Sequence, residues 1–311
     1  MKSRTIAFMC VAMAVILATA ISTQAQDLAS LWPGRAHGAG TATAESATIK
    51  QEPRIGAGAG AAVTAAIADT CAYTFTNPGK NNSYMTFCVS VNGNLISFQS
   101  PSGIEYLNLG TLSEGYGICD LSTGAAYYDF SDYGESGNWN PPVLLLVNAT
   151  TVKIARTTSD GLFTLTQTIA KVAGVTPYAK ITMALKNNTG ITKDVYLIRW
   201  ADVDPFDANS TGSFLESFDS SVNSAWGYTA YNYSGVDTAG YGLEIQNIGL
   251  PNVPNLFGGF DLNTNFPPSP CSPTANYLGY QASVDGSVEM LYLLELTKGK
   301  VGTVIDRYTA F

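Results

Sequence analysis

From Cys71 onward the chain runs in short stretches whose apolar and polar residues alternate with a period of two. That is the mark of strands with one face in a core and the other in water. Residues 84–91 alternate, Asn92-Gly93 supplies a tight turn, and residues 95–98 return. This predicts a hairpin, because Asn-Gly accepts the positive φ that a two-residue turn needs. Asp160-Gly161 predicts a second hairpin, between 152–158 and 163–172. In its later strand Phe163, Leu165 and Ile169 share one face, while Thr164, Thr166 and Thr168 share the other. A strand over 178–186 puts Ala179, Ile181, Met183 and Leu185 on one side, and Asn187-Asn188-Thr189-Gly190 turns it into 195–201. That last segment is apolar on both faces and reads as a central strand covered from both sides.

Further strands are expected at 114–119, 143–148, 225–231, 243–248, 277–282, 288–296 and 301–308. Roughly thirteen strands over about 240 residues, without an amphipathic helix, imply an all-β fold. We read a single large antiparallel two-sheet β-sandwich over 69–311, long enough to bury a substantial core. Its long paired strands joined by Asn/Gly turns resemble the super-sandwich of mutarotase-like and glycan-active domains, a likeness of architecture rather than of motif.

The N-terminal residues follow another pattern. Lys2 and Arg4 precede an uncharged apolar run over 6–21, and the small residues Thr23 and Ala25 follow. This predicts a secretory signal peptide over 1–25. The run is short for a bilayer span, and no later stretch reaches about 18 uncharged apolar residues. The mature chain is therefore expected to be secreted or extracytoplasmic, in a periplasm or at the cell exterior, with no membrane span. Residues 26–68, with their Gly56-Ala57-Gly58-Ala59-Gly60 repeat, have too little side-chain bulk to offset the entropy of ordering and read as a disordered leader.

Composition narrows the partners. Without Lys2 and Arg4, 14 basic residues face 24 acidic ones, a net charge of −10. Such a surface repels nucleic acid and anionic lipid and suits neutral glycans or cations. Cys10 leaves with the signal, and Cys71, Cys88, Cys119 and Cys271 remain. An even number in an oxidising compartment predicts two disulfides, for which we favour Cys71–Cys88 and Cys119–Cys271 among the three connectivities. His37 is the sole histidine and falls in the leader. The body accordingly lacks the base of a Ser-His-Asp or Cys-His mechanism. It also lacks three-His zinc sites and any histidine acid of a mutarotase-type mechanism. No phosphate-cradling G-x-x-x-x-G-K-[ST] loop is present.

Three constellations carry candidate chemistry. In Trp200-Ala201-Asp202-Val203-Asp204-Pro205-Phe206-Asp207-Ala208-Asn209, Asp202 and Asp204 fall on one side of a persisting strand, about 6–7 Å apart. Asp207 and Asn209 return in the loop beyond Pro205. Four hard oxygen donors within eight residues suit Ca²⁺, with backbone carbonyls of the loop, or Glu216 and Asp219, to complete the shell; the competing reading is a solvated acidic turn. Second, glycoside hydrolysis or a lyase reaction needs two carboxyls across a cleft. Glu114, between small residues in Ser113-Glu114-Gly115, is the suggestive partner for Asp202 or Asp204, with Glu105 and Glu216 as alternatives. Arg199, on the doubly apolar strand, needs a buried carboxylate, and Glu114 is one it can take. Third, aromatic clusters at Tyr127-Tyr128-Asp129-Phe130-Ser131-Asp132-Tyr133, Trp139 and Trp226 to Tyr233 offer flat rings beside polar groups, the chemistry that holds a sugar. Tyr128, Tyr133, Trp139, Trp226 and Tyr228 are the expected contacts, against the alternative that they pack the core.

These readings converge on an exported, non-catalytic binding or surface protein directed at a glycan or cell-surface component and stabilised by Ca²⁺. The alternative is a secreted carbohydrate-active enzyme using Glu114, Asp202 and Asp204. An outer-membrane barrel, raised by the C-terminal Phe311, fits less well because Arg307 interrupts the last alternating run.

Overall fold

The computed structural model describes residues 70–80, 83–107, 114–131, 134–203, 205, 213–219, 223–230, 241–249, 256–261, 269–272, 281–282 and 287–311. The signal, the leader and His37 lie outside the described residues, as do Tyr133, Asp204, Asp207 and Asn209. Every regular element named below is a strand, and the pairing is antiparallel throughout.

The chain opens with β1 (Tyr73–Asn77), β2 (Met85–Val89) and β3 (Leu95–Gln99), then β4 (Glu114–Asp120), β5 (Ala125–Phe130) and β6 (Gly134–Glu135). Next come β7 (Val143–Val147), β8 (Thr151–Thr157), β9 (Phe163–Val172), β10 (Tyr178–Asn187) and β11 (Lys193–Asp202). The remainder is β12 (Ser213–Asp219), β13 (Ser224–Ala230), β14 (Tyr241–Asn247), β15 (Leu256–Asp261), β16 (Gln281–Ala282), β17 (Ser287–Leu296) and β18 (Val301–Ala310). A nine-stranded sheet runs β16-β12-β13-β14-β18-β10-β9-β8-β7, and a six-stranded sheet runs β15-β17-β11-β4-β5-β6. A small sheet β1-β2-β3 adds a third piece to the two sheets expected.

The expected alternation produces this arrangement directly. In β9 and β10 every second residue up to Ile169 and Leu185 is buried, and the intervening threonines and lysines are not. Their residues pair in register, Ile181 opposite Ile169 and Leu185 opposite Leu165. Burying one such aliphatic side chain is worth about 1.5–3 kcal/mol, so a one-residue slip that turned the row outward would be costly. The Asn92-Gly93 turn closes the β2–β3 hairpin with Gly93 at φ 96°, and a side chain there would also meet the Gln167 amide.

One core joins the three sheets. Ile154, Phe163, Ile181, Val304 and Leu243 from the nine-stranded sheet meet Ile118, Leu197, Met290 and Tyr292 from the six-stranded one, with Phe87 and Phe98 of the small sheet alongside. The strand read as central is so: β11 lies between β17 and β4 and is almost wholly buried. Its second face carries a separate cluster of Ile198, Trp200, Phe130 and Leu291. Cys71 bonds Cys88, and Cys119 bonds Cys271 across a sequence separation of 152.

Residues 127–130 of the first aromatic cluster belong to β5: Tyr127 turns into the core, Tyr128 faces the other cluster, and backbone pairing to β4 holds both. The strand expected at 143–148 is β7, Val143–Val147, and its whole apolar run is exposed.

Candidate functional site

Of the sequence-derived acids, Glu114 and Asp202 go to the interior. Glu114 and Arg199 are both fully buried and form an ion pair between the sheets. Glu114 also accepts the Leu95 N–H at 2.7 Å and the Tyr308 hydroxyl at 2.8 Å. Arg199 donates to Gln167 Oε1 at 2.5 Å and to the Gly93 carbonyl at 3.4 Å. With both carboxylate oxygens engaged and no exposure, Glu114 faces no cleft and is a structural partner rather than the open acid the enzyme alternative needs. Glu105 is similarly committed, accepting the Phe98 N–H at 2.7 Å and the Ser97 hydroxyl at 2.6 Å. Asp202 is buried at the end of β11, where it accepts the hydroxyl of Ser287, its register partner, at 3.3 Å.

Burial pushes the Glu114 carboxyl up to about 7, against the pull of Arg199 and its hydrogen bonds. Burial likewise pushes Asp306, which accepts the Tyr292 hydroxyl, up to about 7. Both acids hold protons more tightly folded than unfolded, so their contribution is complete below the unfolded pKa and lost as pH rises through about 7. At Asp120 burial raises the pKa, but the Lys193 and Ser122 bonds outweigh it and hold the carboxyl below the usual range. Its contribution disappears only in strong acid. Stability is therefore expected to peak in mild acid, with melting at pH 5 about 5 °C or more above melting at pH 8. Scanning calorimetry across this range checks it; a flat profile from pH 5 to 8 would contradict the buried-acid account.

The aromatic candidates divide. Trp139 is 7% exposed. Its ring packs edge-on against Tyr116 and Tyr127, lies under Arg156, and donates its N–H to the Tyr128 carbonyl at 3.2 Å. It seals the core and presents no face to a ligand, a correction to its expected role. Tyr128 stacks on Phe130, with ring centroids 5.3 Å apart, against the second cluster.

Trp226 and Tyr228 instead come together on the outer face of the nine-stranded sheet. In β13 the alternation turns Ala225 inward and these two rings outward. Phe311, just past β18, lies across them: its ring is stacked with Tyr228 at 6.2 Å and edge-on to Trp226 at 6.3 Å. Gly242 makes this close approach possible, since a Cβ there would fall within 2.3 Å of the Phe311 ring. Register completes the site. Trp226 pairs with Glu244 on β14, and Glu244 pairs with Thr309 on β18. Trp226, Glu244, Thr309 and Phe311 line an open depression of about 380 Å³. Glu244 meets Arg307 at 3.5 Å, and Ser224 donates to it at 2.6 Å. The Thr309 hydroxyl is buried and has no hydrogen-bond partner among the described residues, nor has Arg307 Nε.

Sequence reasoning missed Glu244, Thr309 and Phe311. Their grouping depends on β14 pairing with β18, about sixty residues later, and no local pattern fixes that register.

No protein-family model and no curated protein matches the chain. Among solved structures it is similar to an Escherichia coli K12 protein assigned as an aldose 1-epimerase, with 11% identity and a TM-score of 0.42, over 77% of this chain and 99% of that one. A bacterial glucoamylase complexed with acarbose aligns at 10% identity and a TM-score of 0.46, covering 78% of this chain and 32% of that one. A polysaccharide lyase aligns at 10% identity and 0.39, covering 75% and 33%. The chain spans about a third of the length of the latter two.

Proposed function

We propose that the protein is an exported, non-catalytic carbohydrate-binding protein whose binding surface is the outer face of the nine-stranded sheet around Trp226, Tyr228 and Phe311. One observation carries this reading: a shallow depression combines two aromatic walls with a carboxylate. A pyranose ring presents an apolar C–H face and a rim of hydroxyls. Its C–H face packs on Trp226 and Phe311, and Glu244 accepts from its hydroxyls. Every ligand-facing group comes from a strand or the residue following one, so binding needs little reorganisation. The Ca²⁺ reading at Asp202, Asp204, Asp207 and Asn209 belongs to the same proposal as a stabilising element. Of its four donors only Asp202 lies among the described residues.

Affinity electrophoresis in gels containing xylan, glucomannan, mixed-linkage β-glucan, pectin or alginate tests the proposal. Retardation by at least one polysaccharide is expected. Trp226→Ala should weaken it about tenfold, equivalent to about 1.4 kcal/mol of ring contact. Mobility unchanged by every polysaccharide, or retardation indifferent to Trp226→Ala, overturns it.

A further inference from the structure

Strand β7 breaks the pattern that organises the rest of the sheet. Its residues Val143, Leu144, Leu145, Leu146 and Val147 are 55%, 48%, 51%, 45% and 49% exposed, so neither face is covered, whereas neighbouring β8 alternates regularly. β7 ends the nine-stranded sheet: β8 takes one of its edges, and the other faces outward. Proteins ordinarily blunt such an edge with a charge, an interior proline, a bulge or a covering segment, and of these β7 shows only a bulge among the described residues. Here no charged residue occurs between Glu135 and Lys153, and the prolines, Pro141 and Pro142, stand before the strand.

We infer that β7 is a self-association edge, and that its occupant is β7 of a second copy, paired antiparallel about a two-fold axis at Leu145. The sequence Val-Leu-Leu-Leu-Val reads identically in both directions. An antiparallel pair of identical strands centred on Leu145 therefore sets Val143 opposite Val147 and Leu144 opposite Leu146, like with like in size, and closes as an isologous dimer. A bulge falls between Leu144 and Leu146, so Leu145 is the residue that β8 leaves without a partner. Charge favours the same location. Copies of a chain with an acidic excess repel one another, and this uncharged edge lets two backbones meet without opposing carboxylates. Area sets the strength: the exposed parts of five aliphatic side chains offer on the order of 400 Å² per copy, about half the ~800 Å² of a standard partner surface. The dimer is accordingly reversible, with a Kd on the order of 10 µM. This inference is independent of the glycan reading, since β7 and the Trp226 depression lie at different places in the strand order.

Sedimentation velocity of the mature full-length chain over roughly 1–200 µM tests it, a range that brackets the expected Kd. A monomer–dimer equilibrium that strengthens with salt is expected. Leu145→Lys places two ammonium groups together at the axis and should weaken self-association at least tenfold, as should Leu145→Glu. An equimolar mixture of the two variants should restore a dimer containing one of each, which loss of folding cannot mimic. Val175→Lys, at a position 88% exposed elsewhere, should leave the equilibrium unchanged. A monomer at every concentration overturns the inference. So does a dimer indifferent to Leu145→Lys. A monomer whose β7 amides are protected from hydrogen exchange would instead assign the edge to another segment of the same chain, and also overturns it.

Discussion

Replacing Arg199 by methionine is expected to destabilise the protein by about 3–5 kcal/mol at pH 8 and by clearly less at pH 5. Methionine keeps much of the side-chain length and removes the charge. Glu114 is then left fully buried with the Leu95 N–H and the Tyr308 hydroxyl as partners, and the Gln167 carbonyl oxygen loses its donor. An uncompensated buried carboxylate is the costly part, because its solvation is gone and nothing opposes its charge. Burial already holds Glu114 at about 7 in the presence of Arg199, and without the guanidinium it climbs further. At pH 5 the variant therefore carries a neutral acid, and at pH 8 folding must either bury a charge or take up a proton. Urea denaturation at both pH values measures the difference. The double replacement Glu114→Leu with Arg199→Met should recover most of the loss, since an apolar pair needs no solvation. Equal losses at pH 5 and pH 8 would mean that Glu114 is not the partner on which Arg199 acts.

The second large effect is covalent. Removing the Cys119–Cys271 bridge by the double Cys→Ser substitution is expected to cost about 5 kcal/mol in the chain-entropy picture, because the bridge closes a separation of 152 residues. Cys119 lies within β4, between β11 and β5, so the bond ties the middle of the six-stranded sheet to the Cys271 turn. The Cys71–Cys88 bridge spans only 17 residues and ties the segment just before β1 to β2, and its removal should cost about 3 kcal/mol. Chemical denaturation of the two double-serine variants checks the order. A larger loss for the Cys71–Cys88 pair would show that loop length does not govern these bridges.

The architecture was legible wherever one face of a strand is buried and a turn residue is demanding. Asn92-Gly93 and Asp160-Gly161 marked two hairpins, and the period-two rows of β9 and β10 fixed which side faces the core. Arg199 announced its own constraint, since a guanidinium inside an apolar strand must find a carboxylate, and Glu114 is that carboxylate. The cysteine pairing followed from number and compartment plus a choice of the local bridge. The ligand-facing surface was less legible for a physical reason. Trp139 and Trp226 both sit in aromatic-rich segments, and what separates them is strand order: one ring points between sheets, the other onto an outer face. Phe311 carried a signal, a terminal aromatic after an alternating strand, but its contact with Tyr228 depends on the long-range pairing of β14 with β18. The exposure of β7 was not legible either, because a continuous apolar run does not say whether its strand lies inside a sheet or at an edge.

The most direct test of the proposed binding surface is fluorine NMR on protein carrying 5-fluorotryptophan at its four tryptophans, Trp32, Trp139, Trp200 and Trp226, titrated with an oligosaccharide cut from the retarding polysaccharide. The resonance of Trp226 should shift and saturate with ligand, while those of the core rings Trp139 and Trp200 stay in place. Movement of the Trp139 or Trp200 resonance with Trp226 unmoved would contradict the assignment of the sugar to the outer face of the nine-stranded sheet.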